Sequence, residues 1–322
     1  MQPLTFDHLY FEKIWGGREL EAFRDDLPSG SIGESWDVAS HRNGTSTVQY
    51  GPDEGKSLSQ LYGEKRTDLF GTSMTFDRFP LLLKLINTTQ ALSVQVHPGD
   101  DYAMAHENDL GKTEAWYVMK AKPGAYLIIG TAELDREAFR SALAENRIEE
   151  ILNKIPVKEG DVFYIQAGLL HAIGPGLIIY EIQQNSDTTY RFYDYGRDRE
   201  LHVEKAMKVI DFGLKGSPLE GVTHKITGGQ KTHLIRCPHF SLEKYQVKTQ
   251  VTEESDPTRF FLFTVVKGSG DLCWEKGRKN LKKGDTVLIP AALGMYTLEG
   301  SFELLKSYVT ESTKYQKKEV FL

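Results

Sequence analysis

Short hydrophobic stretches, several of them alternating with polar residues, recur along most of the chain. The first covers residues 79–96, where the turn-prone residues 87–89 separate two predicted strands. Similar stretches predict further strands at 114–119, 126–129, 161–165, 177–182, 240–247, 260–266, 286–289 and 302–309. Turn sequences rich in Gly, Pro or Asp separate them at 122–124, 174–176, 267–270 and 283–285. Many short strands joined by frequent turns are typical of a β-sandwich or barrel.

One segment has a different period. Between residues 133 and 155, apolar residues from Leu134 to Ile155 fall at roughly helical spacing among charged ones. We therefore predict an inserted helix or helix pair in this segment. Weaker helical patterns occur at 57–69 and 201–210.

Two parts of the chain resemble each other. The sequence EGDVFYIQA at 159–167 is similar to KGDTVLIPA at 283–291, and the corresponding Gly160 and Gly284 are 124 positions apart. Upstream, Val118 and Val265 begin similar sequences that are 147 positions apart. The two offsets differ by 23 residues, the length of the predicted helical insertion. The sequence therefore predicts two related β-barrels, of which the first contains the insertion.

These offsets also predict domain boundaries. Residues 1–130 and 156–230 would form the first barrel domain, 131–155 the helical insertion and 231–322 the second barrel domain. A chain of 322 residues agrees with two domains, since domains have about 150 residues each as a prior.

Composition narrows the class of protein. Hydrophobic residues make up 40% of the chain, enough for a core, and a net charge of −6 provides no overall field that attracts nucleic acid. The two cysteines, Cys237 and Cys273, favour a reducing compartment. No leader pattern or membrane-length apolar run is visible. We expect a cytoplasmic protein without a nucleic-acid, membrane or obligate protein partner, and a solvated tail around Lys314, Lys317 and Lys318.

A set of candidate metal ligands occurs in the first predicted barrel. Gln95 and His97 are two positions apart on a predicted strand, so their side chains share one face. Glu114 follows 17 residues after His97, and His171 lies beside another strand and a tight turn. Two imidazoles, a carboxylate and an amide oxygen suit zinc or another divalent first-row ion, with a position left for water or substrate. Each residue alone could be structural, whereas the combination favours an open metal site.

The internal repeat predicts where a metal would bind. Projected through the offsets, the four candidates correspond to Leu242, Lys244, Phe261 and Met295 in the second barrel. These residues do not form a zinc ligand set. The repeat therefore predicts a metal site in the first barrel only.

The candidate ligands lie in motifs that resemble a known family. The order Gln95-x-His97, Lys112-x-Glu114 and QAGLLHAIG at 166–174 is similar to the metal motifs of the cupin superfamily. More narrowly, the chain closely resembles type I mannose-6-phosphate isomerases, and most of all their short bacterial members. The matching sequences are LSVQVHPGDDYA at 92–103, GKTE at 111–114, SDTTYRFYDYGR at 186–197, WGG at 15–17 and GESW at 33–36. Gln166 departs from the family pattern, which usually has proline before Ala-Gly.

The resemblance implies a mainly-β fold of two jelly-roll-like cupin barrels and a zinc-dependent interconversion of D-mannose 6-phosphate and D-fructose 6-phosphate. It implies one zinc ion per chain, a sugar phosphate as the small-molecule partner, and Arg191 as a catalytic residue. Ser93 and Lys112 would face the substrate and help to bind its phosphate, and Lys112 would belong to the catalytic set. The implied zinc ligands are Gln95, His97, Glu114 and His171.

The chemistry of this reaction fits the residues. Moving a proton between C1 and C2 passes through an enediol-type intermediate whose oxygens gain negative charge, so zinc and Arg191 could stabilise it. Without the resemblance, Arg191 would be read as an ion-pair partner of Asp187 or Asp194. A base is also needed, and of Glu181 and Asp187 we favour Glu181. Trp15 and Trp36 are expected to pack the N-terminal segment over the barrel.

Two other functions are compatible with a cupin fold. A cupin iron oxygenase is disfavoured because Gln and Glu beside two His, together with Ser93, Lys112 and Arg191, suit a sugar phosphate better than an oxygen-activating centre. A non-catalytic sugar-binding or regulatory cupin is the remaining alternative. The presence of Arg191 and of all four candidate ligands argues against it, although residues alone do not demonstrate a rate.

Overall fold

Most of the predicted strands form two antiparallel barrels. The computed structural model describes residues 1–132, 136–145 and 147–310. Its strands are β1 Leu9–Gly17, β2 Ile32–Val38, β3 Ser40–His41, β4 Gly44–Thr45, β5 Leu81–Thr88, β6 Val94–Val96, β7 Glu114–Ala121, β8 Tyr126–Thr131, β9 Leu152–Pro156, β10 Val162–Ile165, β11 His171–Ile173, β12 Leu177–Gln184, β13 Tyr190–Tyr193, β14 Val222–Ile226, β15 Gly229–Arg236, β16 Ser241–Val247, β17 Gln250–Glu254, β18 Phe261–Trp274, β19 Gly277–Lys282, β20 Thr286–Ile289 and β21 Met295–Tyr308. The helices are α1 Leu58–Glu64, α2 Asp100–Glu107, α3 Arg136–Ala144 and α4 Val203–Val209, with shorter helical turns at Glu19–Ala22, Arg66–Phe70 and Ile148–Ile151.

The first barrel consists of two sheets. One has the order β1-β2-β5-β12-β7-β10, and the other has the order β13-β6-β11-β8-β9. Their inner faces meet in one hydrophobic cluster, in which Trp116 and Val118 of β7 pack with Leu127 and Ile129 of β8. The second barrel is built from the sheet β14-β15-β16-β21-β18-β19, with β17 paired to β21 and β20 paired to β18.

The two barrels share the same backbone pairing. Glu114 of β7 lies opposite Ile165 of β10, and Phe261 of β18 lies opposite Ile289 of β20. Gly160 and Gly284, which precede β10 and β20, have φ of +93° and +94°, a region that favours glycine. The following aspartates each accept a hydrogen bond of 2.9 Å from the backbone N–H three positions earlier. The two sequence repeats thus have one local structure.

The barrels differ in how their strands are divided. The turn at 122–124 separates β7 from β8, and the turn at 174–176 separates β11 from β12, whereas β18 and β21 each run through 14 residues. The turn predicted at 267–270 is therefore wrong. Those residues lie within β18. A bulge between Val265 and Lys267 and a φ of +73° at Gly268 allow the turn-like sequence to continue as a strand.

The insertion is only partly helical. It contains α3 and the turn Ile148–Ile151, but residues 152–155 belong to β9, where Ile155 pairs with Leu127 of β8. The helix prediction is wrong there because an edge strand with one buried face can share its apolar positions with a short helical pattern. Leu134 lies outside the described residues. In the second barrel, β18 and β19 are joined by a two-residue turn instead, since Trp274 pairs with Gly277.

The N-terminal residues extend the first barrel and contact the second. Strands β1 and β2 add to the sheet edge, and Trp15 and Trp36 are buried there, as predicted. Leu4 exchanges backbone hydrogen bonds of 2.9 and 2.8 Å with Leu288 of the second barrel. The buried Arg24 pairs with Asp37 at 2.6 Å and also donates to the carbonyl of Gly284.

The helical predictions have mixed outcomes. Helix α1 begins after Ser57, whose side chain forms a capping box with Gln60, and with the turn Arg66–Phe70 it covers the pattern at 57–69. Helix α4 lies within 201–210, but α2 was not predicted. Among the described residues, no helix is long and apolar enough to span a membrane. The lysines at 314, 317 and 318 lie outside the described residues. The domain boundaries given above stay a prediction.

Candidate active site

Three predicted ligands meet inside the first barrel. His97 follows β6, while Glu114 and His171 are the first residues of β7 and β11. Their candidate ligand atoms all lie within 4.8 Å of one another, and all three side chains are buried. Nε2 of His97 is 3.6 Å from one carboxylate oxygen of Glu114, and Nε2 of His171 is 3.4 Å from the other. We call these residues the triad.

Backbone carbonyls orient both histidines. Nδ1 of His97 lies 3.0 Å from the carbonyl oxygen of Thr188, and Nδ1 of His171 lies 2.8 Å from that of Leu169. Because a carbonyl only accepts, Nδ1 carries the proton and Nε2 keeps a lone pair directed toward Glu114. Burial, with the nearby ammonium of Lys112, lowers the pKa of His97 well below its ordinary value. Burial lowers the pKa of His171 to about 4. Both rings are therefore neutral at pH 7, the form that binds metals.

The triad has unused acceptors that suit a cation. Neither carboxylate oxygen of the fully buried Glu114 accepts a hydrogen bond from a described residue, although Nζ of Lys112 lies 2.8 Å from one of them. A buried carboxylate needs compensation by charge. Gln95 lies opposite His171 across β6 and β11, with its amide nitrogen 3.4 Å from Nε2 of His171, and its amide can present oxygen or nitrogen there. The donor set therefore fits a divalent first-row ion.

A cavity of about 270 Å³ opens beside the triad. Six residues that the sequence analysis considered as ligands, substrate-binding residues or bases line it: Ser93, Gln95, Lys112, Glu181, Asp187 and Arg191. Lys13, Lys84 and Arg199 add to its positive charge, and Trp15 is part of its wall besides packing in the core. The structure thus brings the predicted residues together in two adjoining groups, the triad and the cavity wall.

A buried ion-pair network on this wall was missed in the sequence. Lys84 lies opposite Glu181 on β5 and β12, with their charged atoms 3.3 Å apart, and its ammonium is 3.7 Å from Glu34. Burial lowers the pKa of Lys84, but Glu34 and Glu181 outweigh it and raise the pKa above the ordinary value. Burial opposes ionisation of Glu34, yet Lys84 and Lys13 hold its pKa at about 2. A lone lysine in the apolar sequence PLLLKLI was the signal that could have revealed this group.

Glu181 lies in a different electrostatic setting. Burial and the nearby charge of Glu114 raise its pKa above the ordinary value of 4.5. Trp116 donates a hydrogen bond of 2.8 Å to one carboxylate oxygen, while the other accepts none from a described residue. The group is therefore poised to take up a proton more readily than an exposed glutamate.

Arg191 is held without a carboxylate partner among the described residues. Its Nη1 donates to the carbonyl of Glu200 at 2.7 Å, and its backbone N–H donates to His202. Asp194, the ion-pair partner considered above, binds Arg197 and Arg199 instead, at 2.6 Å each. The guanidinium of Arg191, which lines the cavity, thus has Nε buried with no described partner.

The second barrel does not repeat the triad. Since His171 lies opposite Gln95, and Met295 lies opposite Glu254, the residue matching Gln95 is Glu254. The projection of Gln95 and His97 onto Leu242 and Lys244 is therefore wrong: those residues belong to β16, which is the counterpart of β5 and not of β6. The projection failed because the connection from β6 to β7, which contains α2, changes the offset between the two repeats. Phe261 and Met295 keep their projected places, and they cannot act as a carboxylate and an imidazole.

Comparisons with known proteins agree with this geometry. Residues 4–126 match the family described as phosphomannose isomerase type I, catalytic domain, and residues 230–309 match the mannose-6-phosphate isomerase cupin domain. Mannose-6-phosphate isomerase ManA of Bacillus subtilis is 40% identical over 317 residues, which cover 96% of this chain and 99% of the relative. The chain belongs to the type I mannose-6-phosphate isomerase family. Another member, from Streptococcus mutans, is 38% identical over 96% of this chain and 99% of its own.

Solved structures of the family show the same fold. The crystal structure of the Bacillus subtilis mannose 6-phosphate isomerase has a TM-score of 0.90 and 35% identity, covering 95% of this chain and 99% of that one. A variant of the Salmonella typhimurium phosphomannose isomerase shares the fold at 15% identity, with a TM-score of 0.77 and 96% and 100% coverage. The predicted family, the mainly-β cupin fold and the isomerase class are thereby confirmed.

Proposed function

We propose that the chain is a zinc-dependent isomerase that interconverts D-mannose 6-phosphate and D-fructose 6-phosphate through an enediol-type intermediate. The observation that carries this proposal is the position of the His–Glu–His triad, with its two neutral imidazoles, beside a small cavity whose wall includes Gln95, Lys112 and further cations. The volume of the cavity, about 270 Å³, is below the roughly 300–1,000 Å³ of pockets for drug-sized ligands, so the cavity suits a substrate of monosaccharide size.

The triad and Gln95 would hold the metal. When bound, zinc would act as a Lewis acid that polarises substrate oxygens and stabilises their negative charge. The neutral histidines, and the two carboxylate oxygens of Glu114 that accept no hydrogen bond from a described residue, support this assignment.

The cationic wall would bind the phosphate and the charged intermediate. Arg191 offers several fixed donors and remains protonated, although burial, together with Arg199, lowers its pKa. Lys84 and Lys112 are held in place by ion pairs with Glu181 and Glu114, so their charges are oriented before substrate enters. Ser93 would add a hydroxyl at the same wall.

Glu181 would transfer the proton between C1 and C2 of the substrate. It lines the cavity, its pKa is raised, and one of its oxygens is free of described hydrogen-bond donors. Trp116 holds the other oxygen, which fixes the direction of the carboxylate. A base with a raised pKa both accepts and returns a proton efficiently near neutral pH.

A coupled assay tests the proposal. The purified protein, with and without zinc, is mixed with mannose 6-phosphate, and the formation of fructose 6-phosphate is followed. We expect zinc-dependent conversion, loss of activity in Arg191→Ala, and a decrease of about 10²–10⁴-fold in kcat for Glu181→Gln. Asp187→Asn is the matched comparison for the base, since Asp187 also lines the cavity. No zinc-dependent conversion, or a wild-type rate in Arg191→Ala, would contradict the mechanism.

A further inference from the structure

The loop from residue 185 to residue 189 connects β12 to β13 and touches both parts of the site. The carbonyl of Thr188 binds Nδ1 of His97, and Asp187 and Thr189 line the cavity. A displacement of this loop would therefore turn the imidazole of His97 and reshape the cavity together.

Asp109 holds this loop from behind. One of its carboxylate oxygens accepts hydrogen bonds from the hydroxyls of Ser186 at 3.1 Å and Thr188 at 3.0 Å, and lies 3.4 Å from the backbone nitrogen of Asp187. The other oxygen accepts from Arg78 and from the backbone N–H of Leu110, each at 2.9 Å. Asp109 is only 1% exposed, so water does not replace these donors.

The charge of Asp109 strengthens these bonds. Burial alone would raise its pKa, but the nearby imidazole of His41 at 3.7 Å and the hydrogen bonds from Thr188 and other donors outweigh burial and hold the pKa well below its ordinary value. The carboxylate is therefore ionised, and hydrogen bonds to an ionised acceptor are about twice as strong as those between neutral groups.

Asp109 belongs to a segment that the second barrel lacks. It follows α2 in the connection from β6 to β7, and Asp100 at the start of α2 accepts from Gly111 N–H and from the side chain of Gln184. The connection thus contacts both ends of the loop, through Gln184 at one end and through Ser186 and Thr188 at the other.

We propose that Asp109 is a positioning residue of the metal site: through the hydroxyl of Thr188 it fixes the Thr188 carbonyl, which orients the imidazole of His97 for metal binding. This inference rests on the proposed metal-dependent function. Neither Asp109 nor Thr188 belongs to the triad or lines the cavity. Loss of such outer contacts weakens metal binding about 10–100-fold in other proteins.

Equilibrium metal binding tests this role without measuring turnover. The zinc dissociation constant is determined by competition with a chromogenic chelator, and the visible absorption of the Co²⁺-loaded protein reports ligand geometry. We expect Asp109→Asn and Thr188→Val to raise the zinc dissociation constant about 10–100-fold and to change the Co²⁺ spectrum. Thr188→Ser keeps the hydroxyl and should restore the wild-type affinity and spectrum. Thr188→Val keeps the backbone carbonyl, so it isolates the hydroxyl even where Asp109→Asn fails to fold.

A matched threonine in the second barrel controls for loss of stability. Thr264 is fully buried, and its hydroxyl lies 2.9 Å from that of Thr286. Thr264→Val should lower the melting temperature of the metal-free protein without changing zinc affinity. Wild-type zinc affinity and Co²⁺ spectra in Thr188→Val and in folded Asp109→Asn would overturn the proposal, as would a similar loss of affinity in Thr264→Val. If the wild-type protein itself binds no zinc, the proposed function fails as well, and the wild-type sample alone shows this.

Discussion

The two barrels place opposite charges at equivalent positions on their central strands. In the first barrel Lys84 of β5 lies opposite Glu181 of β12, and in the second Glu243 of β16 lies opposite Lys306 of β21. Register confirms the match, because Glu181 also lies opposite Trp116, and Lys306 lies opposite Phe263. Both pairs are buried, so each barrel carries ionic groups in its interior.

The barrels differ in whether the buried carboxylates near these pairs have hydrogen-bond donors. Nζ of Lys306 lies 2.9 Å from Glu253 and 3.8 Å from the ring centre of Phe261, the residue that replaces Glu114. Tyr296 and Tyr308 donate to Glu253 and Glu243 at 3.0 Å each. The first barrel instead leaves Glu114 without hydrogen bonds from described donors. A buried polar cluster by itself therefore does not mark a site, whereas unsatisfied ligand atoms beside a cavity do.

Removing a triad histidine should produce the largest contrast between the barrels. We expect His171→Ala, and likewise His97→Ala, to bind much less than one zinc per chain, because each removes a ligand atom of the triad. Met295→Ala, at the matching position of the second barrel, should keep the wild-type zinc content. Metal analysis after dialysis against dilute zinc measures this. Stoichiometric zinc in both histidine variants would refute the ligand assignment.

Removing the second barrel's buried cation should affect stability rather than metal binding. Lys306→Met leaves Glu253 without the ammonium group that lies 2.9 Å from it, and we expect a loss of about 3–5 kcal/mol in the free energy of unfolding. Lys267→Met is the control, since its exposed ammonium lies 3.9 Å from Glu303 and should contribute about 0–1 kcal/mol. Urea unfolding measures both variants. Equal losses would show that the cluster of the second barrel is not an ionic core.

The two barrels should respond to pH with opposite sign. Burial and Glu114 raise the pKa of Glu181, so its ionisation destabilises the fold as pH rises above 4.5, the ordinary value. Burial opposes ionisation of Glu253, but Lys306 lowers its pKa, so its ionisation stabilises the fold and this stability is lost as pH falls below 4.5. A difference of one between the folded-state and unfolded-state pKa of a group changes the free energy of unfolding by about 1.4 kcal/mol across the pH range in which the group titrates.

Glutamine variants of the metal-free protein test this prediction. The change in the free energy of unfolding relative to wild type should be more stabilising for Glu181→Gln at about pH 7 than at about pH 4. For Glu253→Gln it should be more destabilising at about pH 7 than at about pH 4. Urea unfolding at both pH values gives the comparison. The same sign in both variants would contradict the assigned charge environments.

The matching turns should contribute small and equal amounts. Asp161→Ala and Asp285→Ala each remove one hydrogen bond to a backbone N–H, and we expect losses of about 0.5–1.5 kcal/mol. The double variant should show the sum within about 0.5 kcal/mol, because the turns lie in different barrels. A large coupling measured by denaturant unfolding would argue against independent turns.

Local sequence predicted the strands whose inner faces are apolar. Strands β7, β8, β10 and β20 agree closely with the hydrophobic stretches, since their burial comes from their own side chains. The polar edge strand β14 and the half-polar β19 were missed because they are defined by pairing to β15 and β18 rather than by apolar content. Helix α2 has little hydrophobic pattern, with Ala103 as its one buried residue.

Motif spacing predicted the triad, but not the network around it. His97, Glu114 and His171 stand in recognisable sequences, whereas the burial of Lys84 depends on Glu34 and Glu181, which come from distant strands. Likewise nothing in the local sequence distinguishes Asp109 from an exposed polar residue, and its contacts with Arg78, Ser186 and Thr188 come from distant parts of the chain. Ion pairs between residues that are far apart in the chain cannot be predicted from a short stretch of sequence.

The bridge between Leu4 and Leu288 has a consequence for the order of synthesis. Trp15 of β1 and Glu34 of β2, which contribute to the cavity wall, are synthesised before the second barrel. In the same segment, Leu4 bonds Leu288, which comes 284 residues later, and Arg24 donates to Gly284, which comes 260 residues later. These contacts between the N-terminal segment and the second barrel can therefore form only after the chain has been synthesised through Leu288.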